Sequence, residues 1–298
     1  RLDYIPYQED IVYQLFEEEI KALIFNPLED ESVYSLIYHT KDRGIPVVAL
    51  DKILDDIEFD AYVTTNEKKM GKEAASYFVE KIQGKGNVIV LEGPIGDKKT
   101  RNIVLGFYKI LDQYPEIRIV SSPHLSEISS TLRQEKMQEF QEKGFKKEEI
   151  RKIKKRDVAF NHVSSVVTQY AGNIQGVIAC DSDLVVGAVR AIDVYGLAEM
   201  VVTVGVGASK EACLLLRPHR PNMSKHDMEL YSVHYDRGLM ALETAVKLIN
   251  GDDIEYDSML PNGLVDVKTL YGPIRKLTYR DYYSEVSHLW PELFVEEK

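Results

Sequence analysis

GVIACDSDLVVGAVRAI, residues 176–192, is a short apolar run that ends on an acid and passes directly into a helical pattern. Its first half, GVIACD (176–181), reads as a buried strand, and residues 183–195 read as a helix. The same step recurs on either side. NVIVLEG (87–93) precedes a helical stretch near 99–112, and MVVTVGV (200–206) precedes a short helix after Ser209. IPVVALD (45–51) follows an amphipathic stretch at 31–43 that stops at Gly44, a natural helix C′ position. KALIFNP (21–27), AYVTTN (61–66), IRIVSS (117–122) and LVDVKTLYG (264–272) read as further strands, and so does LDYIPY (2–7). Helical spacing marks 9–20, 67–82, 131–143, 161–171 and 239–249. Strands separated by helices need crossover connections, so neighbouring strands run parallel. The rhythm fills both halves of the chain and predicts an α/β protein of two doubly wound parallel-sheet lobes.

Composition agrees and narrows the function. The 298 residues suffice for two lobes, and 44% hydrophobic with 29% charged residues excludes the disordered and disulfide-stapled classes. Forty-eight acids against 37 bases give a net charge of −11, a poor balance for holding polynucleotide phosphates, so no nucleic-acid partner is expected. Eight of the fourteen residues from Lys143 to Arg156 are basic, but acids interrupt the run and Ile150 and Ile153 give it helical spacing. It reads as a solvated helix face. Cys180 and Cys213 have no metal-ligand spacing, and His219, His226 and His234 are irregularly placed, so neither metal nor cofactor is expected. The Gly-x-Ser-x-Gly, Gly-x-x-x-x-Gly-Lys and His-Glu-x-x-His signatures do not occur, and VGVGAS (204–209) lacks the third glycine of a dinucleotide loop. Catalysis has no signature in the sequence, and no enzyme is expected. No apolar run approaches a membrane span, and Arg1 opens the sequence without a charged-then-apolar leader, so any export signal lies outside these residues.

In open parallel sheets ligands bind beyond the carboxyl ends of strands, where backbone N–H groups and helix N-termini collect. The polar residues there are Asn26, Asp51 with Lys52, Thr64–Asn66, Glu92–Asp97, Asp181–Asp183 and Gly205–Ser209.

Five stretches, in order and at roughly the right spacing, resemble the sugar-binding branch of the type I periplasmic binding protein superfamily. They are residues 21–52, AYVTTNEKKMGKEAASYFVEK (61–81), GKGNVIVLEGPIGD (84–97), GVIACDSDLVVGAVRAI (176–192) and VHYDRGLMALETAVKLINGD (233–252). Residues 50–71 are similar to the xylose-binding subgroup. The resemblance implies two lobes joined by a three-strand hinge and closing over a monosaccharide. It divides the chain into lobe I, 1–64 with 233–263, and lobe II, 65–232 with 264–298. Carried over position by position, it sets Asp51 and Lys52 where the family has an Asp-Arg pair that holds sugar hydroxyls. Lys keeps the charge but loses the bidentate fork, and the alternative for this pair is a surface salt pair. Asn26 stands at the preceding strand end, where it either reaches the ligand or serves turn chemistry before Pro27.

In lobe II the resemblance assigns polar contacts to Asp97 and Lys98, with Arg101 either gripping hydroxyls or pairing with Asp97. Asp181 replaces a ligand-binding Asn. Gly207 and Ser232 stand where relatives often carry Asp and Gln, which removes two contacts. Phe160 and His162 are candidates for an aromatic wall, with a core role as the alternative. The family also opens with a strand and helix that find no counterpart before residues 2–27. The strand is central to the lobe I sheet, so its absence would expose the backbone of its neighbours unless the unit lies outside this sequence, is replaced by other residues or is donated by another chain.

The implied function is an extracytoplasmic solute-binding protein, on the periplasmic or outer face of the cytoplasmic membrane. It would present a monosaccharide, a pentose such as xylose, to an ABC permease, or report it to a membrane sensor histidine kinase. The alternatives are the effector domain of a sugar-responsive transcription regulator, and an interaction module that has lost its ligand.

Overall fold

The computed structural model describes residues 5–27, 31–54, 57–94, 97–122, 147–216, 226–232, 234–262, 265–278 and 289. The expected helix at 131–143 lies outside them. The chain divides into two compact units, Arg1–Asn66 with Ser232–Ile274 and Glu67–Tyr231 with Arg275–Lys298. It passes between them three times.

The first unit begins with helix α1 (Ile5–Glu17), so Ile5–Tyr7 are helical rather than part of a strand. Strand β1 (Leu23–Phe25), helix α2 (Glu31–Asp42), β2 (Val47–Leu50) and β3 (Ala61–Thr64) follow. These three strands are parallel. Leu23, Phe25, Val47 and Ala49 alternate onto one face and pack with Val12 of α1 and Val33, Leu36 and Ile37 of α2. Val48, Ala61 and Val63 turn to the other face and meet Ala241 and Ala245 of the helix His234–Asn250. β1 ends the sheet, and Ile24 on that edge strand is partly exposed. Along His234–Asn250 the exposed apolar residues Leu239, Leu242, Val246 and Ile249 recur at one helical spacing.

The second unit holds α3 (Glu67–Lys81), β4 (Gly86–Leu91), α4 (Lys98–Leu111), β5 (Ile117–Ser121), α5 (Lys147–Gln169), β6 (Gly176–Ala179), α6 (Ser182–Val194), β7 (Val202–Val206), α7 (Lys210–Leu215) and β8 (Met228–Ser232). The chain then returns to the first unit as α8 (His234–Asn250), β9 (Ser258–Asn262) and β10 (Val265–Tyr271), and ends its described strands with β11 (Ile274–Thr278). The sheet order is β11-β8-β7-β6-β4-β5, with β5 and β6 parallel to β4 on its two sides, β7 parallel to β6 and β8 parallel to β7. This is a doubly wound sheet in which the winding direction reverses beside β4. α3 and α4 approach backbone to backbone at Gly71 and Gly106, where neither position has room for a Cβ.

Two expectations change here. Residues 265–271 were assigned to lobe II, but β10 lies in the first sheet, parallel to β3 with Thr269 beside Tyr62 and Tyr271 beside Thr64. A strand read alone carries no mark of the sheet it joins. The helix expected at 161–171 starts at Lys147 and takes in most of the basic run.

Candidate functional site

In the first unit the site is built around the end of β2. Asp51 has φ +59°, a left-handed conformation that Asp tolerates better than most residues. Its N–H donates to the Val63 carbonyl at 2.9 Å, its carbonyl accepts from the Tyr62 hydroxyl at 3.2 Å, and the Lys52 N–H turns back to the Leu50 carbonyl at 2.7 Å. The chain is thereby bent sharply at the strand end and the carboxylate held beyond it. Arg237, on the first turn of α8, grips that carboxylate from below, with Nε to Oδ1 at 2.6 Å and an Nη to Oδ2 at 3.3 Å. Arg237 is buried, whereas the Asp51 side chain keeps about a third of its exposure. The result is a partly exposed carboxylate at a strand end whose charge is countered by a buried guanidinium.

Sequence reading missed Arg237. Its signal was present in VHYDRG (233–238), an arginine in the first helical turn after a strand. Lys52 is half-buried beside Asp51, and Asn26 is exposed at the end of β1, where its carbonyl accepts from Gln8 Nε2 at 3.3 Å.

In the second unit the switch point between β4 and β6 brings Asp97 and Asp181 to the carboxyl edge of the sheet, where the first turns of α4 and α6 begin. Asp97 caps α4, accepting from Lys99 N at 2.9 Å and Thr100 N at 3.3 Å. Asp181 caps α6 through Asp183 N at 2.9 Å. Each cap uses one carboxylate oxygen, which fixes the side chain at its post. The second Asp181 oxygen accepts from Lys155 Nζ at 2.8 Å. Burial pulls the Lys155 ammonium down, but Asp181 beside it, helped by Asp183 and Cys180, holds its pKa above the ordinary value.

Next to this pair Arg156 donates from Nε and Nη2 to Asp183 at 2.9 and 2.6 Å and reaches Glu211 at 3.1 Å. Burial raises the Asp183 pKa despite that partner. The end of the basic run is therefore no solvated face. Lys155 and Arg156 are half-buried and paired to the acids that cap α6, because α5 packs along α6 and its Arg156 carbonyl approaches Gly187 too closely for any side chain there.

Lys98 and Arg101 are exposed on the first turn of α4. Phe160 is half-buried on α5, and nearby on that helix His162 Nε2 meets Ser121 Oγ at 2.8 Å, with burial lowering the imidazole pKa. Ser232 ends β8, and its side chain lies outside the described residues. Gly207 has φ +138°, and a Cβ there would come within 2.7 Å of Ser182 Oγ. Glu92, buried at the end of β4, accepts from the Tyr108 hydroxyl, and burial followed by that bond pushes Tyr108 up to about 12. Burial, with Asp181 next in weight, drives the Cys180 thiol far above its usual range, which keeps it in the neutral thiol form. Among the described residues no cluster of metal-ligating side chains occurs, and no helix is long and apolar enough to cross a membrane.

Each unit is an α/β layer of mainly parallel strands with polar residues at strand ends, and the second is doubly wound. The chain belongs to the periplasmic binding protein domain family, which matches residues 5–253. It is 21% identical over 253 residues to a xylitol-binding protein of Mycolicibacterium smegmatis, covering 85% of this chain and 63% of that protein. The chain thus spans a little under two thirds of that relative. It is 24% identical over 270 residues to the D-xylose-binding periplasmic protein of Escherichia coli, covering 90% of this chain and 71% of that one. Among solved structures it is similar to an ABC transporter periplasmic solute-binding protein of Actinobacillus succinogenes with bound D-allose, with TM-score 0.64, 21% identity, and coverage of 92% of this chain and 84% of the other. A fructose-binding periplasmic domain of a hybrid two-component system superposes with TM-score 0.58 at 18% identity, over 96% of this chain and 81% of that domain.

Proposed function

We propose that this protein binds a neutral monosaccharide or its polyol outside the cytoplasm, a pentose such as xylose being favoured, and presents it to an ABC permease without transforming it. The observation that carries this reading is the Asp51–Arg237 fork. A polyol offers hydroxyl donors and needs fixed acceptors, and Asp51 is a partly exposed carboxylate set at a strand end and held in place by the Arg237 fork. The Asp181–Lys155 pair adds an acceptor and a donor in the second unit, which suits a hydroxyl that both gives and takes a hydrogen bond. Lys52 and Asn26 beside Asp51, and Asp97, Lys98, Arg101, Phe160 and Ser232 in or bordering the second unit, complete the proposed set.

The names of the xylitol- and xylose-binding relatives support the solute class. The likeness to the two-component periplasmic domain supports a second reading, in which the partner is a sensor kinase rather than a permease.

Calorimetric titration with xylose, xylitol, ribose, allose and fructose tests the proposal. Saturable one-site binding of at least one of them is expected, with a thermal midpoint that rises with ligand concentration. Absence of heat and of any midpoint shift across the panel would refute it.

A further inference from the structure

Beneath the Asp181 strand end lies a polar network that the site as described does not use. Glu229 on β8 is fully buried, and both of its carboxylate oxygens have close polar partners. Oε2 accepts from Ser182 Oγ at 2.8 Å and from the Ala208 N–H at 2.8 Å, and Oε1 lies 2.9 Å from His226 Nε2. Ser182 Oγ in turn accepts from the Ser209 N–H at 3.2 Å. His226 Nδ1 meets Thr203 Oγ1 at 2.8 Å. Space has been cleared for the carboxylate: a Cβ on Gly205 would stand 2.1 Å from Glu229 Oε1. One carboxylate therefore ties together the loop that starts α6, the Gly207–Ser209 loop after β7, and β8, which leads out of the second unit two residues later at Tyr231.

We infer that Glu229 is a positioning residue for solute binding, locking the Asp181 loop and the Gly207–Ser209 loop into one rigid ligand-facing edge. This rests on the solute-binding reading. Asp181 is adjacent to Ser182, so its cap and its Lys155 contact keep their geometry only while Ser182 is anchored. The network also explains the glycine at 207. With Ser182 Oγ drawn toward Glu229, the space above position 207 is taken, and a side chain there would collide with the anchor. The acceptor role of Glu229 fixes the imidazole as well. A carboxylate on Nε2 calls for the Nε2–H form, with Nδ1 accepting from Thr203.

The test uses Glu229→Gln and Glu229→Ala, with Ser182→Ala as a third variant that removes a single link. A carboxamide can keep both Ser182 and Ala208 only by turning its oxygen to them, which sets its NH₂ against His226 and drives the ring to the Nδ1–H tautomer. Long-range nitrogen–proton NMR should report Nε2–H for His226 in the wild type and Nδ1–H in Glu229→Gln, with no sugar present. For the panel sugar that binds the wild type most tightly, Glu229→Gln should keep affinity within about threefold, Ser182→Ala should lose roughly three- to tenfold, and Glu229→Ala tenfold or more. Affinity unchanged in both alanine variants, or the same His226 tautomer in wild type and Glu229→Gln, would overturn the positioning role. If no panel sugar binds the wild type, it is the solute reading that fails, and the tautomer comparison still decides whether the network is built as inferred.

Discussion

Arg237 closes a two-point fork on Asp51 from 186 positions further along the chain, with Nε at 2.6 Å from Oδ1 and Nη2 at 3.3 Å from Oδ2. Asp51→Ala removes the proposed acceptor while leaving Arg237 buried without its carboxylate. Two hydrogen bonds to a charged group, at about 1.5 kcal/mol each, correspond to roughly a hundredfold loss of sugar affinity. Arg237→Lys keeps the charge but not the fork, and a tenfold loss is expected from misorientation of Asp51. Calorimetry on both variants, with the exposed Lys69→Ala as a control, checks the order Asp51→Ala, then Arg237→Lys, then control. Equal affinities for Asp51→Ala and the control would displace the site from this strand end.

Lys155 and Asp181 form the corresponding pair in the second unit, 2.8 Å apart and both part-exposed. Lys155→Met retains the aliphatic length and removes the donor. Asp181 then keeps its helix-cap bond but loses its countercharge. Sugar affinity is expected to fall about tenfold, roughly the worth of one charge-assisted hydrogen bond. The thermal midpoint of the sugar-free protein should change little, because half-exposed ion pairs add little stability. A midpoint drop with unchanged affinity would assign the pair to the fold instead of the ligand.

The strands with β-branched runs were legible, since Val47–Leu50, Gly176–Ala179 and Val202–Val206 are buried on both faces and need only apolar residues. β8 was not, because Met-Glu-Leu-Tyr-Ser places a carboxylate inside a strand. Glu229 is tolerated there through Ser182 and Ala208 from two other segments and His226 just ahead of the strand, and no local pattern announces them. β9 was hidden by Pro261 and its antiparallel place beside β10. Of the candidate site, Asp51 and Asp181 were legible only as acids at strand ends. Arg237 and Lys155 were not, because each acts on an acid distant in sequence, and Lys155 was masked by the basic run around it.

His162 gives the protein an acid-side weakness. Burial lowers its pKa from the ordinary 6.5, so the folded protein takes up this proton less readily than the unfolded chain does. The stability it contributes is complete above pH 6.5 and is lost as the pH falls through its depressed folded value. The thermal midpoint should therefore decline with acidification below that pH, and His162→Asn should flatten the decline while still offering Ser121 a partner. Parallel midpoint curves for wild type and variant would place the acid sensitivity elsewhere.

The α3–α4 contact makes the sharpest stability prediction. A Cβ on Gly71 would fall 2.0 Å from the Ile103 carbonyl oxygen and 2.9 Å from Gly106 Cα, both backbone atoms that cannot rotate away. Gly71→Ala must push the two helices apart, and overpacking of this kind costs about 1–3 kcal/mol, or a fall in midpoint of roughly 5 °C for a unit of this size. Gly238 lies in a helix too, but its Cβ would meet nothing within 4 Å. There the intrinsic preference of helices for Ala governs, and Gly238→Ala should stabilise by up to about 1 kcal/mol. Circular dichroism melts of the two variants should thus move in opposite directions from the wild type, and a shared direction would mean that the helices are not held as closely as Gly71 and Gly106 require.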